Sequence, residues 1–145
     1  MKLVICEKPS VGAAVAAALG VTGKKDGYIE NDKYFISWCI GHLVQLSEAA
    51  AYGEQYKKWS YDSLPILPQE WQYTVAADKG KQFKILKDLM HRADVSEVVN
   101  ACDAGREGEL IFRFVYHQAG CKKPFTRLWI SSMETDAIRS GFEHL

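Results

Sequence analysis

The sequence predicts an α/β fold built on a parallel sheet, and three observations carry that expectation. The runs Leu3-Val4-Ile5-Cys6 and Val98-Val99-Asn100-Ala101-Cys102 are short, apolar and rich in β-branched residues, as strands buried on both faces are. Each run is followed at once by charged residues and then by a helical repeat, the order of a strand–loop–helix unit. With 145 residues, 48% hydrophobic and 25% charged, the chain fits one domain with a real core and is not a disordered tail.

Taken in order, the strand at 3–6 feeds a helix from about Ser10 to Leu19. Ser10 is the expected N-cap, Val11, Ala14, Val15, Ala18 and Leu19 repeat at helical spacing, and Gly20 stops the helix. Its small residues allow close packing on a sheet. Tyr28-Ile29-Glu30 and Tyr34 to Ile40 flank Asn31-Asp32-Lys33 as a hairpin. An aromatic and polar stretch follows, with Tyr52, Tyr56, Trp59, Tyr61, Pro65 and Pro68. Residues 21–77 therefore read as an irregular insertion in the α/β frame, too long for a plain connector and a candidate for function.

Residues 79–92 predict a basic amphipathic helix with Phe83, Leu86, Leu89 and Met90 inward and its lysines mostly on the wet side. A strand at 97–102 precedes an acidic loop. The helix from about Gly108 to Ala119 is expected to bury Leu110, Ile111, Phe114 and Val115 and to end at Gly120. A strand at 126–131 leads to Ser131-x-x-Glu134, which has the form of a capping box, and to a last helix with Ile138, Phe142 and Leu145. That helix meets no stop signal, so the whole of 1–145 is expected to be one domain of a longer protein.

Several function classes are excluded or weakened. The formal net charge is zero, so a nucleic-acid partner would be met by local patches and not by bulk basicity. No apolar run approaches the ~18 residues that span a membrane, and the first residues are too few for a signal peptide. Cys6, Cys39, Cys102 and Cys121 form no C-x-x-C pair, which argues against a zinc site of ordinary spacing. They are expected to be reduced small hydrophobes, in keeping with a cytoplasmic setting.

The chemistry is concentrated after the two apolar runs. Glu7-Lys8-Pro9 follows the first, and Asp103-Ala104-Gly105-Arg106-Glu107-Gly108-Glu109 follows the second. Ligands in open parallel sheets bind outside the carboxyl ends of the strands. If the two strands are neighbours, Glu7, Asp103 and Glu107 meet in one crevice although about a hundred residues separate them. Three carboxylates repel one another unless a cation lies between them, and oxygen ligands select Mg2+ or a similar hard metal. The combination points to magnesium-assisted phosphoryl transfer. Glu7 is placed to exchange a proton with a leaving oxygen, and Lys8 and Arg106 to hold phosphate. Taken alone, Glu7-Lys8 is also what a surface ion pair looks like, and the acidic loop is also what a helix N-terminus looks like. His42 reads equally as a phosphate-contacting residue and as a histidine at a hairpin exit. Trp59 beside Lys57 and Lys58 reads equally as a base-stacking platform and as a half-buried tryptophan.

Together, Glu7-Lys8-Pro9, Trp38-Cys39-Ile40-Gly41-His42-Leu43, the Asp103–Glu109 loop and Trp129-Ile130-Ser131-Ser132 before Ala137-Ile138-Arg139 form an ordered set. In that order and spacing they resemble the N-terminal Toprim domain of type IA DNA topoisomerases, of the bacterial topoisomerase III kind. The resemblance covers essentially the whole chain. It implies a Toprim, Rossmann-like fold of about four parallel strands flanked by helices, with Mg2+ at the strand tips. It further implies a tyrosine that cuts one DNA strand as a 5′-phosphotyrosine. Glu7 would then protonate the leaving 3′-oxygen, and Lys8 would position the phosphate. Asp103 and Glu107, with Glu7 nearby, would hold Mg2+, while Lys8, His42, Trp59 and Arg106 would meet DNA. The DNA would be single-stranded segments, and the setting the cytoplasm of a bacterium, with its nucleoid or plasmids.

Two departures qualify this expectation. The family pattern is often Asp-x-Asp-x-Glu, and Gly105 occupies the middle position, which removes one ligand unless Glu109 replaces it. None of the seven tyrosines falls in the family's nucleophile motif, so that tyrosine is expected beyond residue 145, on the remaining domains. The rival enzyme reading is a stand-alone Toprim nuclease that uses a metal-activated water. The rival binding reading is an α/β module whose acidic loop is only structural.

Overall fold

A computed structural model describes residues 1–145. Its centre is a six-stranded sheet. The chain runs β1 (Lys2–Cys6), α1 (Pro9–Leu19), β2 (Gly23–Lys25), β3 (Tyr28–Glu30), β4 (Tyr34–Trp38), β5 (Val44–Leu46), β6 (Tyr73–Val75), α2 (Gly80–His91), β7 (Glu97–Ala101), α3 (Arg106–Gln118), β8 (Phe125–Arg127) and α4 (Thr135–Glu143). The sheet order is β2-β3-β4-β1-β7-β8, and β5 and β6 form a separate hairpin. β4, β1, β7 and β8 are mutually parallel, while β3 joins β4 and β2 joins β3 antiparallel. The four expected parallel strands are present, and the antiparallel pair extends one edge.

Both faces of β1 are buried, as its unbroken apolar run requires. Leu3 and Ile5 face α2 and α3, in a core with Phe35, Leu86, Met90, Val98, Phe112 and Val115. Val4 and Cys6 face α1 and α4, in a second core with Val15, Ala18, Ile36, Val99, Leu128 and Ile138. Each large side chain fully buried here contributes about 1.5–3 kcal/mol relative to exposure. The sheet is thus covered on both sides, and only its ends are open to ligands.

The structure corrects several local expectations. α1 starts at Pro9 with Lys8 as its N-cap and no side-chain cap, so Ser10 lies inside the helix. Proline suits that place because its missing N–H would have had no partner in the first turn. In α3 the buried face is Ile111, Phe112, Val115 and Tyr116, while Leu110 is exposed and Phe114 only half-buried. The helix begins two residues earlier than expected, and Phe114 packs sideways on Tyr73 of the β5–β6 hairpin, ring centres 5.0 Å apart. The capping box at Ser131 does not form. Glu134 is the N-cap of α4, without a side-chain bond, and Ser132 Oγ accepts its N–H at 3.2 Å. β8 is only three residues long.

The stretch 21–77 is not one insertion. Residues 23–38 belong to the central sheet, and β4 lies directly beside β1 in register Lys2↔Tyr34 to Cys6↔Trp38. The irregular part follows β4, with three short 3-10 turns between β5 and β6. All four cysteines are free and buried, as expected. No helix is long and apolar enough to cross a membrane.

Candidate active site

β1 is the strand at which the chain switches sides, with β4 on one flank and β7 on the other. A crevice at the carboxyl ends of such strands is where parallel α/β sheets bind ligands. Three segments leave the sheet there: Glu7-Lys8 after β1, Ile40-Gly41-His42 after β4, and Cys102-Asp103 after β7. Residues distant in the chain are thereby brought together, since Cys6 is in register with both Trp38 and Ala101.

Glu7 and Asp103 are neighbours, and a Glu7 carboxylate oxygen accepts the Asp103 backbone N–H at 3.3 Å. On the other flank the Gly41 N–H donates to the Glu7 carbonyl at 3.3 Å. Gly41 holds φ at 60°, a region L side chains rarely adopt, and this turn carries His42 over the strand tips. His42 Nε2 pairs with the Glu107 carboxylate on the first turn of α3. Lys79 secures the His42 loop, its ammonium donating to the His42 carbonyl at 3.2 Å. Lys8 is exposed at the start of α1, and Arg106 is exposed at the start of α3.

The sequence expectation placed Glu7, Asp103 and Glu107 around one cation. The structure gathers Glu7 with Asp103 and turns Glu107 toward His42. No three carboxylate, imidazole or thiol groups converge on one point. The donor chemistry of Glu7 and Asp103, carboxylate oxygens only, suits a hard divalent ion. His42 engages one carboxylate oxygen of Glu107, and the second oxygen remains available to an ion. Glu109 is engaged elsewhere. Its carboxylate accepts from Asn100 Nδ2 at 2.9 Å and from Arg113 Nε at 2.7 Å, and Arg127 Nε lies 3.3 Å away as an ion-pair contact without hydrogen-bond alignment.

That side chain belongs to a polar scaffold that sequence reasoning missed. Arg127 donates from Nη1 to the Asn100 carbonyl, to Asn100 Oδ1 and to the Cys102 carbonyl, and from Nη2 to the Asp103 carbonyl at 2.8 Å. Asn100 Oδ1 also accepts the Cys102 N–H at 3.1 Å. Together they hold the loop that presents Asp103. The only signal in the sequence was Asn100, a polar residue within an apolar run. Beneath the site the thiols are buried. A hydrogen bond with Cys39, together with burial, raises the Cys102 thiol far above its ordinary range, and burial raises Cys6.

Trp59 is not part of this cluster. It is 83% exposed, beside Glu48, Ala50 and Tyr56 on the irregular segment, and Lys57 next to it pairs with Glu54.

The sequence matches the Toprim domain family over residues 2–133. The chain belongs to that family. This Toprim domain is 46% identical over 144 residues to the DNA topoisomerase 3 of Shouchella clausii, and 43% identical over 143 residues to that of Bacillus subtilis. Each alignment covers 99% of the Toprim domain and 20% of the relative, so the chain spans about a fifth of the length of these curated relatives. Among solved structures, full-length topoisomerase I from Thermotoga maritima shares the fold with a TM-score of 0.64 at 19% identity, over 97% of the Toprim domain and 20% of that chain.

Proposed function

We propose that this Toprim domain supplies the proton-transfer and phosphate-positioning groups of a type IA DNA topoisomerase of the topoisomerase III kind. The observation that carries the reading is the Glu7–Asp103 contact across the tips of β1 and β7, with Lys8 exposed beside it. Similarity to DNA topoisomerase 3 proteins along the full chain supports the reaction class.

In this reading a tyrosine on another part of the polypeptide attacks a phosphate of single-stranded DNA, its phenolic proton passing to solvent and returning on religation. The P–O bond to the 3′-oxygen breaks as the 5′-phosphotyrosine forms. Glu7, in its protonated form, gives its proton to the departing 3′-oxygen, and on religation it takes the proton back from the 3′-hydroxyl. The Lys8 ammonium holds a non-bridging phosphate oxygen as a point charge. Arg106 and His42 stand at the rim for neighbouring phosphates, and Trp59 would meet a more distant part of the strand. Asp103 and Glu107 would hold Mg2+, with Glu7 joining them only in its ionised form, once it has given up its proton. The bound ion would supply positive charge against the phosphate oxygens. The partners are then DNA and the remaining topoisomerase domains, and the location is the bacterial cytoplasm, at the nucleoid or on plasmids.

The decisive test is Glu7→Gln in the full-length polypeptide. Strand cleavage should fall by about 10²–10⁴-fold, the usual loss for a general acid, while DNA binding changes little. Wild-type cleavage would remove Glu7 from the mechanism. Mg2+-dependent nicking of single-stranded DNA by the 145-residue chain alone would instead favour a nuclease that uses water.

A further inference from the structure

Beside Lys8, on the flank away from His42, lies a cleft of about 850 Å3 between the β1 and β7 tips and the segment joining β8 to α4. Lys8 and Asp103 form one wall, and Trp129, Ser131, Ser132 and Met133 form the other. Trp129 is 67% exposed, a large apolar surface to leave in water. Its ring is not adrift. The Arg127 guanidinium sits 5.3 Å from the ring centre and is itself tied to the carbonyls of Asn100, Cys102 and Asp103. The indole is therefore anchored to the same scaffold that presents Asp103.

An anchored aromatic plane, an ammonium and two hydroxyls around a space of this size suit a nucleotide. We propose that this cleft takes one nucleotide of a single DNA strand next to the phosphate held by Lys8, with its base stacked on Trp129. The Lys8 ammonium attracts phosphate, so the sugar-phosphate lies toward Lys8 and the base toward Trp129 on the opposite wall. Stacking on an indole tolerates every base, so the cleft fixes the strand's position without reading its sequence. The assignment of the strand as DNA rests on the function proposed above.

The test uses this chain and a short single-stranded DNA carrying 2-aminopurine, followed by anisotropy and by quenching of the 2-aminopurine. Wild-type chain should bind and quench. Trp129→Ala should weaken binding by about fivefold to 150-fold, the range of one base–aromatic stack, and Trp129→Phe should retain most of the affinity. Lys8→Ala should lower the salt dependence by about one phosphate contact. Unchanged affinity in Trp129→Ala, absence of quenching, or no binding by the wild-type chain would overturn the proposal. So would a Trp129 already shielded from iodide in the longer polypeptide before DNA is added, because another domain would then fill the cleft. Each of these outcomes leaves the Glu7→Gln cleavage result to judge the function separately.

Discussion

At Gly108 the two halves of the acidic loop touch. A Cβ there would lie 2.1 Å from the Asp103 carbonyl oxygen and 2.8 Å from its nitrogen, both backbone atoms that cannot step aside. Gly108→Ala should therefore push Asp103 away from Glu7 and destabilise the domain by about 1–3 kcal/mol. The urea midpoint checks this, and an unchanged midpoint would show that the loop yields freely. Gly105 is the opposite case. Its φ is 175°, ordinary extended backbone, and a Cβ would meet nothing within 4 Å. Gly105→Asp should fold normally and tighten Mg2+ binding at least about fivefold, since another carboxylate near a divalent ion adds upward of 1 kcal/mol even in water. Calorimetry on this chain decides it, and equal or weaker binding would mean that the added side chain does not reach the ion. The contrast explains what was legible at this scale. The spacing of charged residues in 103–109 marked a site, but the sequence could not say which glycine is sterically required. Nor could it say that Glu107 faces His42, since that pairing depends on a loop 65 residues away.

Among the elements, the buried strands β1 and β7 were read more faithfully than the helix caps, while β2, β5 and β6 went unread. The buried strands announce themselves because both faces must be apolar, whereas a cap depends on one side chain's geometry. Ser10 and Ser131 had suitable chemistry at suitable spacing, yet Lys8 and Glu134 hold the cap positions without side-chain bonds. The inward face of α3 was misjudged at Leu110 and Phe114 because the β5–β6 hairpin lies against Phe114, and that contact has no local signal. β7 offers a test of how an edge-proximal element is secured. Burial works against the charged form of Glu97, but the Thr126 hydroxyl at 2.8 Å and the Lys2 ammonium at 3.1 Å outweigh it and lower its pKa below the usual 4.5. A carboxylate depressed in the folded state stabilises fully above its unfolded pKa and loses that contribution as pH falls through the folded one. Glu97→Gln should cost about 1 kcal/mol near pH 7, and the difference from wild type should shrink to nothing in acid below the lowered pKa. Denaturant midpoints from pH 7 downward test this, and a difference that persists in acid would assign the loss to packing.

Across the whole molecule, the arrangement that matters is β1 between β4 and β7. It brings residues 7, 42 and 103 to one end of the sheet, while the two cores hold that end rigid from both sides. If Glu7 and Asp103 share a cation there, Mg2+ should raise the thermal midpoint of the chain, because an ion bound only by the folded state stabilises it. Asp103→Asn should abolish most of that rise, and an equal rise in the variant would place the ion elsewhere. The amino-acid sequence alone determined the α/β class, the identity of the chemical groups and their attachment to strand ends, because burial periodicity and charge placement are local properties. Tertiary structure decided that residues 23–38 complete the central sheet, that Glu107 turns to His42, that Arg127 and Asn100 hold the acidic loop, and that Trp129 borders a cleft beside Lys8. Those contacts join segments far apart in the chain, and only strand order and packing choose between the partners that local chemistry leaves equivalent.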